Sequence, residues 1–219
     1  MVPELTFHVT LGADDGELAR VQARYPCLAR LPLADGLVLR GTFPLVQDGV
    51  EVDAFKVAIE LHTDGAAYRP VVAEIGGRVP RSPDRHVNPD GSACIGLPED
   101  LLVMTKGEPM PLSSFLDGAV RDYFLAQASY ETEGRWPFGD RGHGMTGVHE
   151  FYKELLGTSE PAVVRRYLVV LSQHRLHRQW FCPCGSGEKL RRCHAPEIAA
   201  LRERVPPALA VRLGAGLRM

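Results

Sequence analysis

Residues 52–62, VDAFKVAIELH, alternate between apolar and polar side chains, and this period of two constrains the fold more than any other stretch. Phe55, Val57, Ile59 and Leu61 fall on one side of the chain. Successive side chains of a β-strand point to opposite faces of a sheet. The pattern therefore predicts a strand in a sheet with one face covered and the other face in water.

Two further stretches flank this strand and extend the predicted sheet. GLVLRGTFPLV (36–46) and RPVVAEIGGRV (69–79) are rich in β-branched and apolar residues, and short polar connections separate them from residues 52–62. Short connections favour pairing between neighbours in sequence. We therefore expect an antiparallel meander.

Helices are predicted on both sides of the meander. Before it, Leu18, Val21 and Tyr25 have helical spacing. After it, apolar stripes with the same spacing recur in residues 113–130, 147–157 and 159–175. Strands that are segregated from helices indicate an α+β fold rather than a doubly wound α/β sheet.

Polar residues near the starts of two of these helices predict how the helices are capped. Ser114 with Asp117 resembles a capping box, and Ser159 with Pro161 occupies cap and first-turn places. The predicted division of the chain is linear: a sheet domain with its trailing helices over 1–158, a connecting helix over 159–178, a metal-binding module over 179–204 and a tail over 205–219.

The charge and cysteine content exclude several classes of protein. The 25 basic and 27 acidic residues give a net charge of −2. This balance argues against nucleic-acid binding by the chain as a whole but is compatible with a local basic patch. No stretch approaches the roughly 20 apolar residues that a membrane helix requires, and the N-terminus lacks the pattern of a secretory signal. The five unevenly spread cysteines favour a reducing cytoplasm over a disulfide framework.

Residues 181–194, FCPCGSGEKLRRCH, contain the most specific motif of the chain. Three thiols and one imidazole follow a C-x-C-x8-C-H spacing, and such a set binds structural zinc tetrahedrally with no open position. The Gly-Ser-Gly between the two halves lets the chain turn around the ion. The predicted zinc ligands are Cys182, Cys184, Cys193 and His194.

This segment resembles the SEC-C motif, a short zinc-binding element of bacterial proteins. The resemblance implies that the module docks partners or nucleic acid. Lys189, Arg191 and Arg192 would supply a small basic surface, although a positive face of this size is equally typical of simple solvation.

Residues 86–96, HVNPDGSACIG, raise the question of what Cys94 does. The cysteine follows a run of turn-forming residues, so its backbone is predicted to be held at the boundary of an element. It is either a small packing residue or an accessible nucleophile. His86 and Asn88 lie close in sequence, and each either donates a hydrogen bond to a developing oxyanion or only caps the turn.

The order helix, meander, proline-rich loop with H-x-N-x-x-G-x-x-C, then helices resembles the ubiquitin-conjugating enzymes. The loop keeps the family's Gly-x-x-Cys spacing and the apolar residue after the cysteine, Ile95, and DGAAYRPVV (64–72) loosely matches the family's entry to its last strand. The family's asparagine falls on His86, and its preceding His-Pro falls on Asp84 and Arg85, so that motif is altered. Together with the later WPFGDRGHG stretch, the loop resembles divergent bacterial members that are found beside ubiquitin-like antiviral defence genes.

The resemblance implies a ubiquitin-like conjugating enzyme. Cys94 would accept a ubiquitin-like protein as a thioester from an activating enzyme and pass it to a target protein. Two alternatives remain: a non-catalytic scaffold that recruits partners through the zinc module, and a hydrolase that pairs Cys94 with His86 or His143. Trp136 and Phe138 are interpreted as plugs at the edge of the core, and Cys27 as a buried small residue.

Overall fold

The computed structural model describes residues 10–65, 67–137 and 145–217. The chain divides into two compact units. The described part of the sheet unit comprises 10–65, 67–96 and 109–137, and that of the helical unit comprises 97–108 and 145–217. Residues 97–108 and 145–158 thus belong with the C-terminal segment. The predicted linear division had placed them with the sheet. The reason is a shared core, because Leu102, Phe151 and Leu213 lie in one buried apolar cluster.

In the described part of the chain, the sheet unit has six strands in the order β2-β3-β4-β5-β1-β6. All neighbours pair antiparallel except β1 and β6, which are parallel. The strands are β1 (Leu11–Gly12), β2 (Leu28–Leu33), β3 (Gly36–Gln47), β4 (Val50–Asp64), β5 (Ala67–Glu74) and β6 (Met110–Pro111).

The predicted meander is confirmed as β3, β4 and β5, and β2 adds a strand that sequence reasoning did not assign. Phe55, Val57, Ile59 and Leu61 are at most 1% exposed, as the alternation in β4 predicts. The α+β class is therefore confirmed at the level of a mostly antiparallel sheet with helices.

The helices of the sheet unit are α1 (Asp15–Arg24), α3 (Leu112–Phe115) and α4 (Arg121–Glu133), and a π-helical turn at Leu116–Val120 joins α3 to α4. The predicted capping box at Ser114 and Asp117 is wrong, because the helix already begins at Leu112, after Pro111. The Asp117 carboxylate instead accepts hydrogen bonds from Arg24 Nε and the Tyr25 hydroxyl, and so ties the π-helical turn to the end of α1.

The helical unit contains α2 (Pro98–Met104), α5 (Met145–Leu156), α6 (Pro161–Leu171), α7 (Ala195–Arg204) and α8 (Pro207–Ala215). Pro161 begins α6 as predicted, but the cap is Glu160, whose carboxylate accepts from the amides of Ala162 and Val163, and not Ser159. The tail forms α8, which buries Leu209 and Leu213. Among the described residues, none of the helices has the length and apolar character that crossing a bilayer demands.

Candidate functional site

Residues 180–194, which contain the predicted metal ligands, form a compact turn of the helical unit that is called the knuckle below. The amide of Cys182 donates to the carbonyl of Glu188 at 2.8 Å, and the amide of Leu190 donates to the carbonyl of Trp180 at 2.7 Å. Gly185 turns the chain with a φ of +87°, and a Cβ there would lie 3.1 Å from an Arg166 guanidinium nitrogen. Both observations explain why the turn contains glycine.

The knuckle brings together all four predicted ligands, Cys182, Cys184, Cys193 and His194, whose ligand atoms lie within 4.8 Å of one another. His194 Nδ1 is 3.2 Å from Cys182 Sγ and 3.0 Å from Cys193 Sγ, and the sulfurs of Cys184 and Cys193 are 3.6 Å apart. A tetrahedral zinc ion with bonds of about 2.3 Å to sulfur separates its ligands by roughly 3.7 Å. The four residues therefore fit a single metal ion, and all three cysteines are free thiols rather than a disulfide.

The local environment shifts the pKa values of two of these thiols in opposite directions. Burial raises the pKa of Cys182 to about 11, whereas a hydrogen bond from Ser186 lowers the pKa of Cys184 to about 6. A buried thiol is ionised at neutral pH only if a cation compensates its charge, and a bound metal ion is such a cation. This cluster, called the metal cluster below, is thus built for a positive ion.

Comparison with known families supports this assignment: residues 182–196 match the SEC-C motif. SEC-C motifs bind zinc, and the matched residues include the four that form the metal cluster. No curated protein and no solved structure matches the chain. The match is confined to the knuckle and assigns no family to the sheet unit.

A second candidate site is the cysteine loop, residues 84–94 of the sheet unit. The amide of Ala93 donates to the carbonyl of Val72 in β5 at 2.7 Å, and the amide of Cys94 donates to the carbonyl of His86 at 2.8 Å. Val87 and Ala93 form an antiparallel bridge between the two arms. The backbone of Cys94 is therefore fixed from both sides. Its side chain is partly exposed, and partial burial raises the pKa of the thiol.

The tip of the cysteine loop is a turn held by its own polar groups. Asn88 is exposed, and its Nδ2 donates to Ser92 Oγ at 3.0 Å. The Asp90 carboxylate accepts from the amide and the hydroxyl of Ser92, and Gly91 adopts a φ of +89°. The structure thus places the Asn88 side chain in a hydrogen bond within the turn.

His86 lies at the base of the loop, where its backbone carbonyl accepts the hydrogen bond from the amide of Cys94. It adopts a left-handed conformation with a φ of +48°, and its ring meets Trp136 edge-on with centroids 4.3 Å apart. Trp136 Nε1 donates to the carbonyl of Asp84 at 2.9 Å, so this tryptophan packs on the cysteine loop. His143 and Phe138, the other residues predicted for this region, lie outside the described residues.

Helix α4 anchors the cysteine loop through residues that sequence reasoning did not assign to the site. Gln127 is fully buried, and its Nε2 donates to the carbonyl of Arg85 at 2.6 Å while its Oε1 accepts from Arg85 Nε at 2.9 Å. The Tyr123 hydroxyl lies 3.3 Å from the carbonyl oxygen of His86. Burial raises the pKa of Tyr123 to about 12, and the nearby Cys94 contributes to the rise.

The only sequence signal for these anchors was a polar side chain, Gln127, four residues after Tyr123 on the apolar stripe of a helix. A groove of about 680 Å³ runs beside the loop, and its lining includes Ala58, Ala73, Val87, Ala93 and Tyr123. Cys27 is exposed, which contradicts its interpretation as a buried packing residue. It immediately precedes β2, whose first residue, Leu28, is buried in the core.

Proposed function

We propose that the sheet unit is a thioester carrier that accepts the C-terminal acyl group of a ubiquitin-like protein on Cys94 and passes it to a target. The observation that carries this proposal is the position of Cys94, partly exposed on a loop whose backbone is bonded to β5 and to its own opposite arm. Helix α4 holds the same loop through Gln127. A nucleophile that must meet a large partner benefits from such fixed placement, because positioning supplies much of the rate.

The order of elements adds support. Helix α1, the meander β2–β5, the cysteine loop and then α4 follow one another as the resemblance to ubiquitin-conjugating enzymes implies. The groove beside the loop reaches Ala93, the residue before Cys94.

The chemistry is an exchange between two thiols. The thiol of Cys94 loses its proton, its sulfur attacks the carbonyl carbon of the donor thioester, and the donor's carbon–sulfur bond breaks as the new one forms. The proton ends on the departing thiolate, so bonds and charges balance. Exchange between thiols of similar pKa is nearly isoenergetic and requires little activation beyond access to the thiolate.

The direction of the Cys94 pKa gives no support to the alternative of a thiol hydrolase. Hydrolytic cysteines are typically activated by a depressed pKa, whereas burial raises the pKa of this thiol. His86, whose backbone opposes Cys94, is the proposed support for the oxyanion. Asn88 would have to leave Ser92 to serve in that role.

The knuckle of the helical unit is, in the same proposal, a structural zinc module. Four protein ligands fill a tetrahedral shell and leave no position for substrate. The ion would be held by Cys182, Cys184, Cys193 and His194. Its contribution is to fold a segment that has few apolar side chains of its own.

The test uses a peptide that ends in Gly-Gly and carries a mercaptoethanesulfonate thioester at its C-terminus. Mass spectrometry of the zinc-loaded protein should show one peptide added with loss of the small thiol, reversible by dithiothreitol and mapped to Cys94. Cys94→Ala should abolish this adduct, and Cys27→Ser, which removes an exposed thiol, should leave it unchanged. Acylation of Cys27 at a rate equal to or above that of Cys94 would refute the proposal, since accessibility alone would then explain the adduct.

A further inference from the structure

The base of the cysteine loop carries a contact between two rings, those of His86 and Trp136. Their planes are 87° apart and their centroids lie 4.3 Å from each other, so one ring presents its edge to the face of the other. Both residues are half-buried. Edge-to-face pairs attract because the positive rim of one ring meets the negative face of the other. The contact therefore favours one orientation of the imidazole over the others.

Trp136 is itself fixed by the fold. Just after α4, Gly134 adopts a left-handed conformation with a φ of +68°, and its amide donates to the carbonyl of Tyr130 at 2.8 Å. Beyond this turn the indole lies on the cysteine loop, where its Nε1 donates to the carbonyl of Asp84 at 2.9 Å. The indole also packs on the Tyr130 ring, with centroids 5.4 Å apart. An indole whose N–H is bonded and whose ring is packed is a rigid support for its neighbour.

This support continues into the core of the sheet unit. The guanidinium carbon of Arg85 lies 4.7 Å from the centroid of the Tyr130 ring, and Arg85 Nε donates to the fully buried Gln127 at 2.9 Å. A continuous line of packed side chains thus runs from α4 through Tyr130 and Trp136 to His86. Truncation of Trp136 would remove the last link before the imidazole and leave the earlier ones in place.

The backbone of His86 explains why its ring needs such a link. Its φ of +48° and ψ of +45° lie in the left-handed region, which residues other than glycine populate sparsely. Its amide donates to the carbonyl of Pro83 at 2.9 Å, and its carbonyl accepts from the amide of Cys94 at 2.8 Å. These bonds fix the backbone but not the rotation of the side chain. Unusual backbone conformations of this kind cluster at functional sites.

We propose that Trp136 is the positioning residue of His86: it holds the imidazole in the orientation from which the ring donates a hydrogen bond to the oxyanion formed at Cys94. This inference rests on the proposed function and adds one residue to it. Trp136 acts through the histidine and not on the thioester. A donor that is oriented in advance needs no reorganisation when the charge develops. Loss of this orientation therefore slows the exchange without weakening the binding of the thioester.

The experiment follows acylation of Cys94 in the zinc-loaded full chain at increasing concentrations of the Gly-Gly peptide thioester. Trp136→Leu should lower the maximal rate about two- to tenfold, the range expected for one edge-to-face pair, at an unchanged half-saturating concentration. Trp136→Phe keeps a ring against the imidazole and should recover most of the rate. Tyr68→Leu removes a half-buried ring from β5 of the same unit and should leave the rate unchanged.

Two further measurements separate positioning from a general structural role. In a chain that already carries His86→Ala, Trp136→Leu should have no additional effect on the rate, because the indole then has no imidazole to hold. Proton NMR gives a readout that does not depend on the reaction. The Cε1 proton of His86, assigned by its loss in His86→Ala, should shift in Trp136→Leu because the ring current of the indole is gone, and Tyr68→Leu should leave it in place.

Three outcomes would overturn the inference. An unchanged rate in Trp136→Leu, with a normal adduct on the unmodified chain, would remove the tryptophan from the reaction and leave the proposed function standing. An equal loss from Trp136→Leu in the His86→Ala background would show that the indole only stabilises the loop. The absence of any adduct on Cys94 of the unmodified chain would refute the proposed function, and the inference with it.

Discussion

The chain places cysteines in two opposite settings, the metal cluster and the cysteine loop. In the metal cluster, three sulfurs and an imidazole converge within 4.8 Å. In the cysteine loop, Cys94 is the one thiol, and hydrogen bonds from the backbone and from α4 fix its surroundings. One metal ion would satisfy every thiol of the first setting, whereas the second leaves a single sulfur partly exposed. The role of a cysteine is therefore set by what else the fold brings to it.

Loss of a metal ligand is expected to have the largest effect. Cys193→Ser leaves three ligands, so bound zinc should fall from one equivalent towards none. The helical unit should lose about 3–5 kcal/mol of unfolding free energy. Metal analysis and thermal unfolding measure both quantities, and excess chelator on the unmodified chain should reproduce the result. Cys27→Ser is the control, and an equal loss in that variant would contradict the distinction between ligand and surface thiol.

Removal of the α4 anchor should affect the cysteine loop next most strongly. Gln127→Leu deprives the partly buried Arg85 of both of its hydrogen bonds with this side chain, and an unsatisfied buried polar group costs about 1–3 kcal/mol. Chemical denaturation measures the loss of unfolding free energy, and Gln47→Leu at the exposed end of β3 is the matched control. A change below that of the control would show that the loop needs no support from α4.

The two settings also predict the pH dependence of Cys94. Burial raises the pKa of this thiol, so the thiolate fraction at neutral pH is smaller than in a free thiol. Alkylation by iodoacetamide should therefore rise to its half-maximum at a higher pH than for N-acetylcysteine. The measurement uses Cys27→Ser with zinc bound, so that the metal cluster is protected. A midpoint below that of the free thiol would reveal a stabilising cation or donor that offsets burial.

The smallest expected effect comes from the hydroxyl of Tyr123. Its contacts with the carbonyl oxygens of Arg85 and His86 measure 3.4 and 3.3 Å, longer than the usual range for a hydroxyl donor. Tyr123→Phe should therefore cost less than about 1 kcal/mol of unfolding free energy. Tyr130→Phe removes a hydroxyl from the same helix as a control. A larger cost specific to position 123 would make this hydroxyl an anchor equal to Gln127.

Sequence reasoning predicted the parts of the fold that repeat locally. The alternation of Phe55, Val57, Ile59 and Leu61 predicted β4 because a strand's faces follow directly from residue parity. It missed β2, since Leu28–Leu33 shows no such alternation: four of its six residues are exposed. The strand exists because β3 pairs with it along its whole length, from Leu28 with Gly41 to Leu33 with Gly36.

The same contrast holds for the sites. The four predicted metal ligands lie within thirteen residues, and their spacing alone predicted that their ligand atoms converge. Gln127 and Tyr123 reach the cysteine loop from about forty residues away in the chain, and helical spacing placed Tyr123 on an apolar stripe without showing what it faces. Local patterns predict contacts only between residues that are close in sequence. Only the packing of α4 against the loop decided which polar groups hold Cys94 in place, because hydrogen-bond partners distant in sequence are selected by tertiary geometry.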